Sequence, residues 1–211
     1  MKITKLGHSC VLIEEGGVRI LIDPGQYSIA QNDVKDIDVI LITHEHPDHM
    51  DFDSIKKVLA HNPQATIYTN KGVSEKLREQ NIDSQLLLHG QRIDVRGVSV
   101  EGHGEKHALI YPTWPTVDNT GYLIAKRLYH PGDALFVPSV PVEVLALPVS
   151  APWMTLAQAL DYAQAVKPQH SFPIHDGMLK FIGPVHRLPL AILPPAGVPF
   201  SPLEAGGMLE F

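Results

Sequence analysis

Residues 43–51, THEHPDHMD, set three histidines and Asp48 within nine positions. The run follows directly on Val39-Ile40-Leu41-Ile42, a continuous apolar stretch that suits a strand buried on both faces. His44 and His46 stand two apart, so in extended chain both imidazoles point to one side and can reach one point in space. Pro47 forces a turn, which delivers Asp48 and His49 toward an adjacent point. Neutral imidazole with carboxylate suits Zn²⁺, and also Mn²⁺ or Fe. Two ligands do not hold a metal. Each pair, His44/His46 and Asp48/His49, therefore needs partners from elsewhere in the chain. A lone loop histidine is ordinarily a solvated one. Four candidate ligands at this spacing, on the end of a buried strand, are not explained that way.

The elements that must position these residues can be read from periodicity. Residues 3–6 and 10–14 read as strands. Glu15-Gly16-Gly17 turns the chain, and 18–22 returns as a hairpin partner. Asp23-Pro24-Gly25 stops that strand. A helix is expected over 53–60, with Ile55, Val58 and Leu59 on one face. Ala65–Thr69 reads as a strand, and Ser74 as the cap of a helix through Gln80. Strands follow near 85–88, 91–95, 97–101, 120–125, 128–130 and 144–147. Thr155 caps a helix through Val166, which Pro168 stops, and Ser171–Ile174 is a last strand. The segment 184–202 carries six prolines and is expected as an extended wrap rather than a helix.

The bulk numbers narrow the function classes. A length of 211 residues predicts one domain, 1–211. The net charge of −6 argues against broad nucleic-acid binding. Lys56, Lys57, Lys71, Lys76 and Arg78 read as solvated helix faces. Cys10 is the one cysteine, so no intrachain disulfide forms, and its apolar neighbours make it a core residue. No stretch approaches the roughly 18 apolar residues of a membrane span. The apolar run from Cys10 to Ile13 is too short for a signal-peptide core, so a cytoplasmic protein is expected. Twelve histidines are many for this length. His61, His89, His170 and His186 read as exposed. Trp114 and Trp153 lie in proline-stiffened loops, where either a pocket lid or core packing suits them.

THEHPDH resembles the T-H-x-H-x-D-H signature of the metallo-β-lactamase superfamily. Three further stretches are similar to that family's other motifs: Asp23 in ILIDPG, Asp133 in YHPGDAL and His175 in PIHDG. Their order and gaps fit, over nearly the whole chain. The opening GHSCVLIEEGGVRILIDPG looks most like the compact branch that includes ascorbate-phosphate lactonase-like hydrolases. The remaining motif histidine is His103 or His107, both in EGHGEKHALIY. His103 follows its strand most closely, while KHALI with NTGYL downstream favours His107.

The resemblance implies an α/β fold: a four-layer αβ/βα sandwich, two mixed sheets face to face with helices outside. It implies two divalent ions, zinc first, with manganese or iron as alternatives. The first would take His44, His46 and His107, the second Asp48, His49 and His175, with Asp133 bridging. Asp23 would hold a ligand histidine in its tautomer. Two such ions about 3.5–4 Å apart yield a hydroxide near neutral pH, and hence hydrolysis at a carbonyl carbon or phosphorus. Leaving-group protonation falls to metal-bound water, to Asp48 or to a nearby side chain, with His8, Tyr111 and His130 as candidates. The expected reaction is hydrolysis of a small ester, lactone or thioester. The alternatives are a phosphodiesterase or nuclease on the same scaffold, and a non-catalytic metal-binding protein. The expected partner is a small molecule, neither nucleic acid nor membrane, with homo-oligomerisation left open.

Overall fold

Apolar residues in consecutive positions of several strands require burial on both sheet faces, and the molecule is layered accordingly. The computed structural model describes residues 1–211. One sheet holds β1 (Lys2–Gly7), β2 (Cys10–Glu15), β3 (Val18–Ile22), β4 (Val39–Ile42), β5 (Thr66–Thr69), β6 (Gln85–Leu86) and β13 (Met208–Glu210), in the order β13-β1-β2-β3-β4-β5-β6. The other holds β7 (Arg92–Val95), β8 (Val98–His103), β9 (Gly121–Ile124), β10 (Leu128–His130), β11 (Val144–Pro148) and β12 (His170–Ile174), in the order β12-β11-β10-β9-β8-β7. Both sheets are mixed: β3-β4-β5-β6 and β10-β11-β12 run parallel, and the hairpins run antiparallel.

The period-2 alternation divides each strand between two cores. Val11, Ile13, Ile20, Ile22, Val39 and Leu41 face across to Val100, Tyr122, Ile124, Val144, Ala146 and Phe172, in a core shared by the two sheets. Their neighbours Leu12, Leu21, Ile40 and Ile42 turn outward onto Ile55 and Val58 of α1 (Phe52–His61) and Val73 and Leu77 of α2 (Lys71–Glu79). On the far side Leu123, Leu145 and Leu147 meet Ala159, Leu160 and Ala163 of α3 (Leu156–Val166). The result is the expected four-layer α/β arrangement.

Several boundaries differ from expectation. The second helix begins at Lys71, because the Asn70 side chain accepts the Val73 N–H and caps it one turn before Ser74. The proline-rich segment is not an extended wrap: Gly183–Ile192 forms α4. Pro184 sits in the first turn, where its missing N–H has no intrahelical partner to lose, and Pro189 forfeits one helical bond inside. β13 was not anticipated. It returns the C-terminus to the edge of β1, with Ile3 opposite Leu209. No helix is long and apolar enough to cross a membrane.

Candidate metal centre

The chemistry-bearing residues sit in the loops leaving the carboxyl ends of β3, β4, β10 and β12, where open α/β sheets characteristically bind ligands. Asp23 ends β3, His44 through His49 follow β4, Asp133 follows β10, and His175 ends β12. His8, Asp23 and His175 all adopt left-handed backbone, with φ of 29°, 49° and 63°. Strain of this kind costs about 1–3 kcal/mol per residue and gathers at functional sites. Gly132 at φ 62° lets the loop bring Asp133 past Thr43; a Cβ there would meet the Thr43 Cβ at 2.7 Å.

Two groups of donor atoms converge, each with its members within 4.8 Å of one another: His44, His46, His107 and Asp133, and His8, Asp48, His49 and His175. Asp133 also reaches the second group. Its Oδ1 lies 3.1 Å from His49 Nε2 and its Oδ2 3.0 Å from His175 Nε2, while His107 Nε2 is 3.3 Å from Oδ2. One carboxylate thus stands between both clusters.

The tautomers test whether these residues fit a cation. Thr43 Oγ1 donates to Asp23 Oδ2 at 2.8 Å, which leaves it to accept from His44 Nδ1 at 3.1 Å. His49 Nδ1 donates to Asp23 Oδ2 at 2.7 Å. His107 Nδ1 donates to the Ala108 carbonyl and His175 Nδ1 to the Ser150 carbonyl. All four imidazoles therefore direct Nε2 at the cluster. Those four Nε2 atoms and Asp133 Oδ1 are buried with no hydrogen-bond partner. Unpartnered buried polar atoms are costly, and divalent cations held at the two clusters would satisfy them.

The electrostatics agree. Burial pushes His49 down, but Asp133 and Asp23 outweigh it and raise its pKa well above the usual imidazole range. Burial lowers and Asp133 raises His175, for a net pKa of about 9. Burial raises Asp133, yet His49 and His175 hold it well below the usual carboxylate range. At His49 and His175 a proton thus competes with a cation, while burial lowers His44 and His46 and keeps them neutral. Metal affinity, read by titration against a chelating dye, is expected to weaken as the pH is lowered.

Residues 2–175 match the Beta-lactamase superfamily domain. The chain belongs to the beta-lactamase superfamily. It is 39% identical over 184 residues to protein Rv0786c of Mycobacterium tuberculosis, covering 85% of each chain. It is 29% identical over 194 residues to a UPF0173 metal-dependent hydrolase of Carboxydothermus hydrogenoformans, covering 83% of this chain and 84% of that one. Among solved structures it is similar to Igni18, a metallo hydrolase from Ignicoccus hospitalis, with TM-score 0.77, 21% identity and coverage of 100% of this chain and 98% of that chain. It is also similar to YhfI from Bacillus subtilis, a metallo-beta-lactamase fold protein, with TM-score 0.75, 14% identity and the same coverage. At these identities the two structures carry the fold alone.

Within this superfamily member, other singled-out residues fall on either side of the site. His107 joins the first cluster, whereas His103 lies on β8 against Tyr129, His89 and Phe136. Tyr111 is 64% exposed. His130 is buried with Nε2 on the Ser9 carbonyl and Nδ1 accepting the Gly132 N–H, so neither nitrogen is available to a substrate. His61, His89 and His170 are exposed as expected. His186 is not: it is buried, with Nε2 2.7 Å from Asp176. Lys5, also buried, places Nζ 2.7 Å from both Asp176 oxygens, so the residue after His175 is anchored from β1 and α4. Trp153 is buried and donates to Asp133 Oδ2 at 2.8 Å, a positioning role that its loop context did not reveal.

Asp23 accepts from the Thr43 N–H at 2.8 Å as well as from Thr43 Oγ1 and His49. Asp23→Asn would aim an amide N–H at one of these donors. We expect metal affinity, read by competition with a chelating dye, to fall about 10–100-fold with the far-UV circular dichroism unchanged.

Proposed function

We propose that the chain is a metal-dependent hydrolase holding two divalent ions, zinc first. One is held by His44, His46 and His107, the other by Asp48, His49 and His175, with Asp133 shared. The observation that carries this reading is the convergence of unpartnered Nε2 atoms on one central carboxylate. Such a pair supplies a hydroxide at neutral pH and polarises the substrate oxygen.

The chain's own residues do the rest. Asp23 and Thr43 fix the tautomers of His49 and His44, and Trp153 orients Asp133. Among the clustered carboxylates Asp48 alone has appreciable side-chain exposure, 18% against 4% for Asp133. Burial pushes Asp48 up, but the neighbouring His175 and His8 rings keep it far below the ordinary range and ionised. Ionised and open to the cavity, it is the carboxylate that would accept a hydrogen bond from attacking water and orient it.

A cavity of about 610 Å³ lies above the clusters and bears on the choice of substrate. Its floor is His46, Asp48, His107, Asp133 and His175, and its walls include Tyr27, Ile110, Pro152, Trp153 and Met178. No lysine or arginine lines it. The apolar wall favours a small ester, lactone or thioester; a phosphodiester would have the ions alone, and no side-chain cation, to meet its charge.

Two assays test this. Elemental analysis of protein purified without chelator is expected to give close to two equivalents of Zn, Mn or Fe per chain. Turnover of simple lactones or p-nitrophenyl esters is expected to exceed that of bis-p-nitrophenyl phosphate, to stop on chelation and to return with metal. Preference for the phosphodiester would replace the substrate reading. Bound metal with neither activity would favour a non-catalytic metal protein.

A further inference from the structure

By distance alone His8 belongs to the second cluster. Its hydrogen bonds say otherwise. His8 Nδ1 accepts the Gly177 N–H at 3.1 Å. A backbone amide can only donate, so Nδ1 must carry the lone pair and the ring proton must sit on Nε2. Nε2 lies 3.2 Å from Asp48 Oδ2. This is the reverse of His44, His49, His107 and His175, whose Nδ1 atoms face oxygen acceptors and whose Nε2 atoms are left free. A protonated Nε2 has no lone pair to offer a cation.

We infer that His8 is a positioning residue and not a metal ligand: its Nε2–H pins the Asp48 carboxylate that the hydrolase reading above places on the second ion. The inference rests on that reading for its consequence, and on the hydrogen bonds for its geometry. A carboxylate oxygen has two lone pairs. One on Oδ2 takes the His8 proton, and the other stays directed at the space between His49 and His175, whose Nε2 atoms lie 3.8 and 3.5 Å from Oδ2. Asp48 is the most exposed ligand carboxylate, in a turn ahead of α1, and nothing else donates to its side chain.

The fold builds this arrangement deliberately. His8 has a fully buried side chain in the tight β1–β2 turn, where φ is 29°. Its carbonyl accepts the His175 N–H at 3.0 Å, so one residue clamps the His175 loop by both backbone and ring. A Cβ on residue 177 would lie 2.9 Å from the His8 Cβ, so glycine is what admits the amide so close. Tyr27 closes the other side edge-on, with ring centroids 5.3 Å apart. His8 thus couples two ligand-bearing loops, 48–49 and 175.

Long-range ¹H–¹⁵N spectra of labelled protein test the tautomer directly, with the His8 signals assigned by their loss in His8→Gln. The Nε2–H pattern is expected for His8 both metal-free and zinc-loaded. An Nδ1–H pattern, or a shift of a His8 nitrogen to metal-bound values with zinc, would overturn the inference. The two amide variants extend the test to binding. His8→Gln keeps an N–H near the Nε2 position and should retain both zinc ions. His8→Asn keeps only the Nδ1-side group and should bind the second zinc about 10–100-fold more weakly, with the first unaffected. Equal loss of the second ion in both variants, or full retention in His8→Asn, would count against it. If the parent protein binds no zinc, the hydrolase reading fails, and the metal-free spectrum still decides the role of His8.

Discussion

Asp133→Ala is expected to lower kcat/KM by roughly three orders of magnitude or more, because on the proposed two-ion reading several kcal/mol of charge stabilisation would go with the metal pair and each 1.36 kcal/mol is tenfold in rate. Asp133 is the carboxylate that spans both clusters. Its carboxylate approaches His49, His107 and His175 within 3.3 Å and receives the Trp153 indole N–H. Alanine removes the proposed shared ligand and leaves that indole N–H without its partner. It also leaves the neighbouring imidazoles without the negative charge that offsets a cation. Elemental analysis should show fewer than two equivalents of metal, with the loss of activity in proportion or greater. Full turnover in this variant would end the two-ion reading. A folded, inactive protein retaining both ions would instead move Asp133 from holding the metals to acting on substrate.

The second large effect is structural. A methyl group on residue 25 would lie 1.8 Å from the Asp48 carbonyl oxygen, 2.1 Å from its carbonyl carbon and 2.6 Å from the His49 nitrogen. All three are backbone atoms, so no side-chain rotation relieves the clash. The two segments are stitched together there, with the Gln26 N–H on the Pro47 carbonyl at 2.9 Å and the Asp51 N–H on the Pro24 carbonyl at 3.2 Å. Gly25→Ala must push the ligand loop away from β3. We expect a cost of about 3 kcal/mol, the upper end of overpacking. For a chain of this length that is roughly 6–12 °C in Tm. The second metal should weaken with it, since Asp48 and His49 are the residues displaced. Gly183→Ala is the control, because nothing lies within 4 Å of a Cβ there. An unchanged Tm in Gly25→Ala would mean that the loop packs more loosely than these distances state.

What the sequence determined by itself is the part written in local pattern. Continuous apolar runs such as Val39–Ile42 demand burial on both faces, so a layered fold with helices outside was legible before any coordinates. The spacing of THEHPDH placed four donors on one strand end for the same local reason. The tertiary structure alone decided the long-range matters. Periodicity and composition left His103 and His107 open and only the family resemblance favoured His107; the fold brings His107 to the cluster and leaves His103 on β8. Helix α4 formed despite Pro189 because the segment packs against α3 and sets His186 on Asp176, which propensity does not weigh. Trp153 and His8 owe their roles to partners 20 and 40 residues away, Asp133 and Asp48. Residue type lists what a side chain can donate or accept. Which nitrogen of His8 carries the proton is set by the Gly177 amide that the fold brings against it.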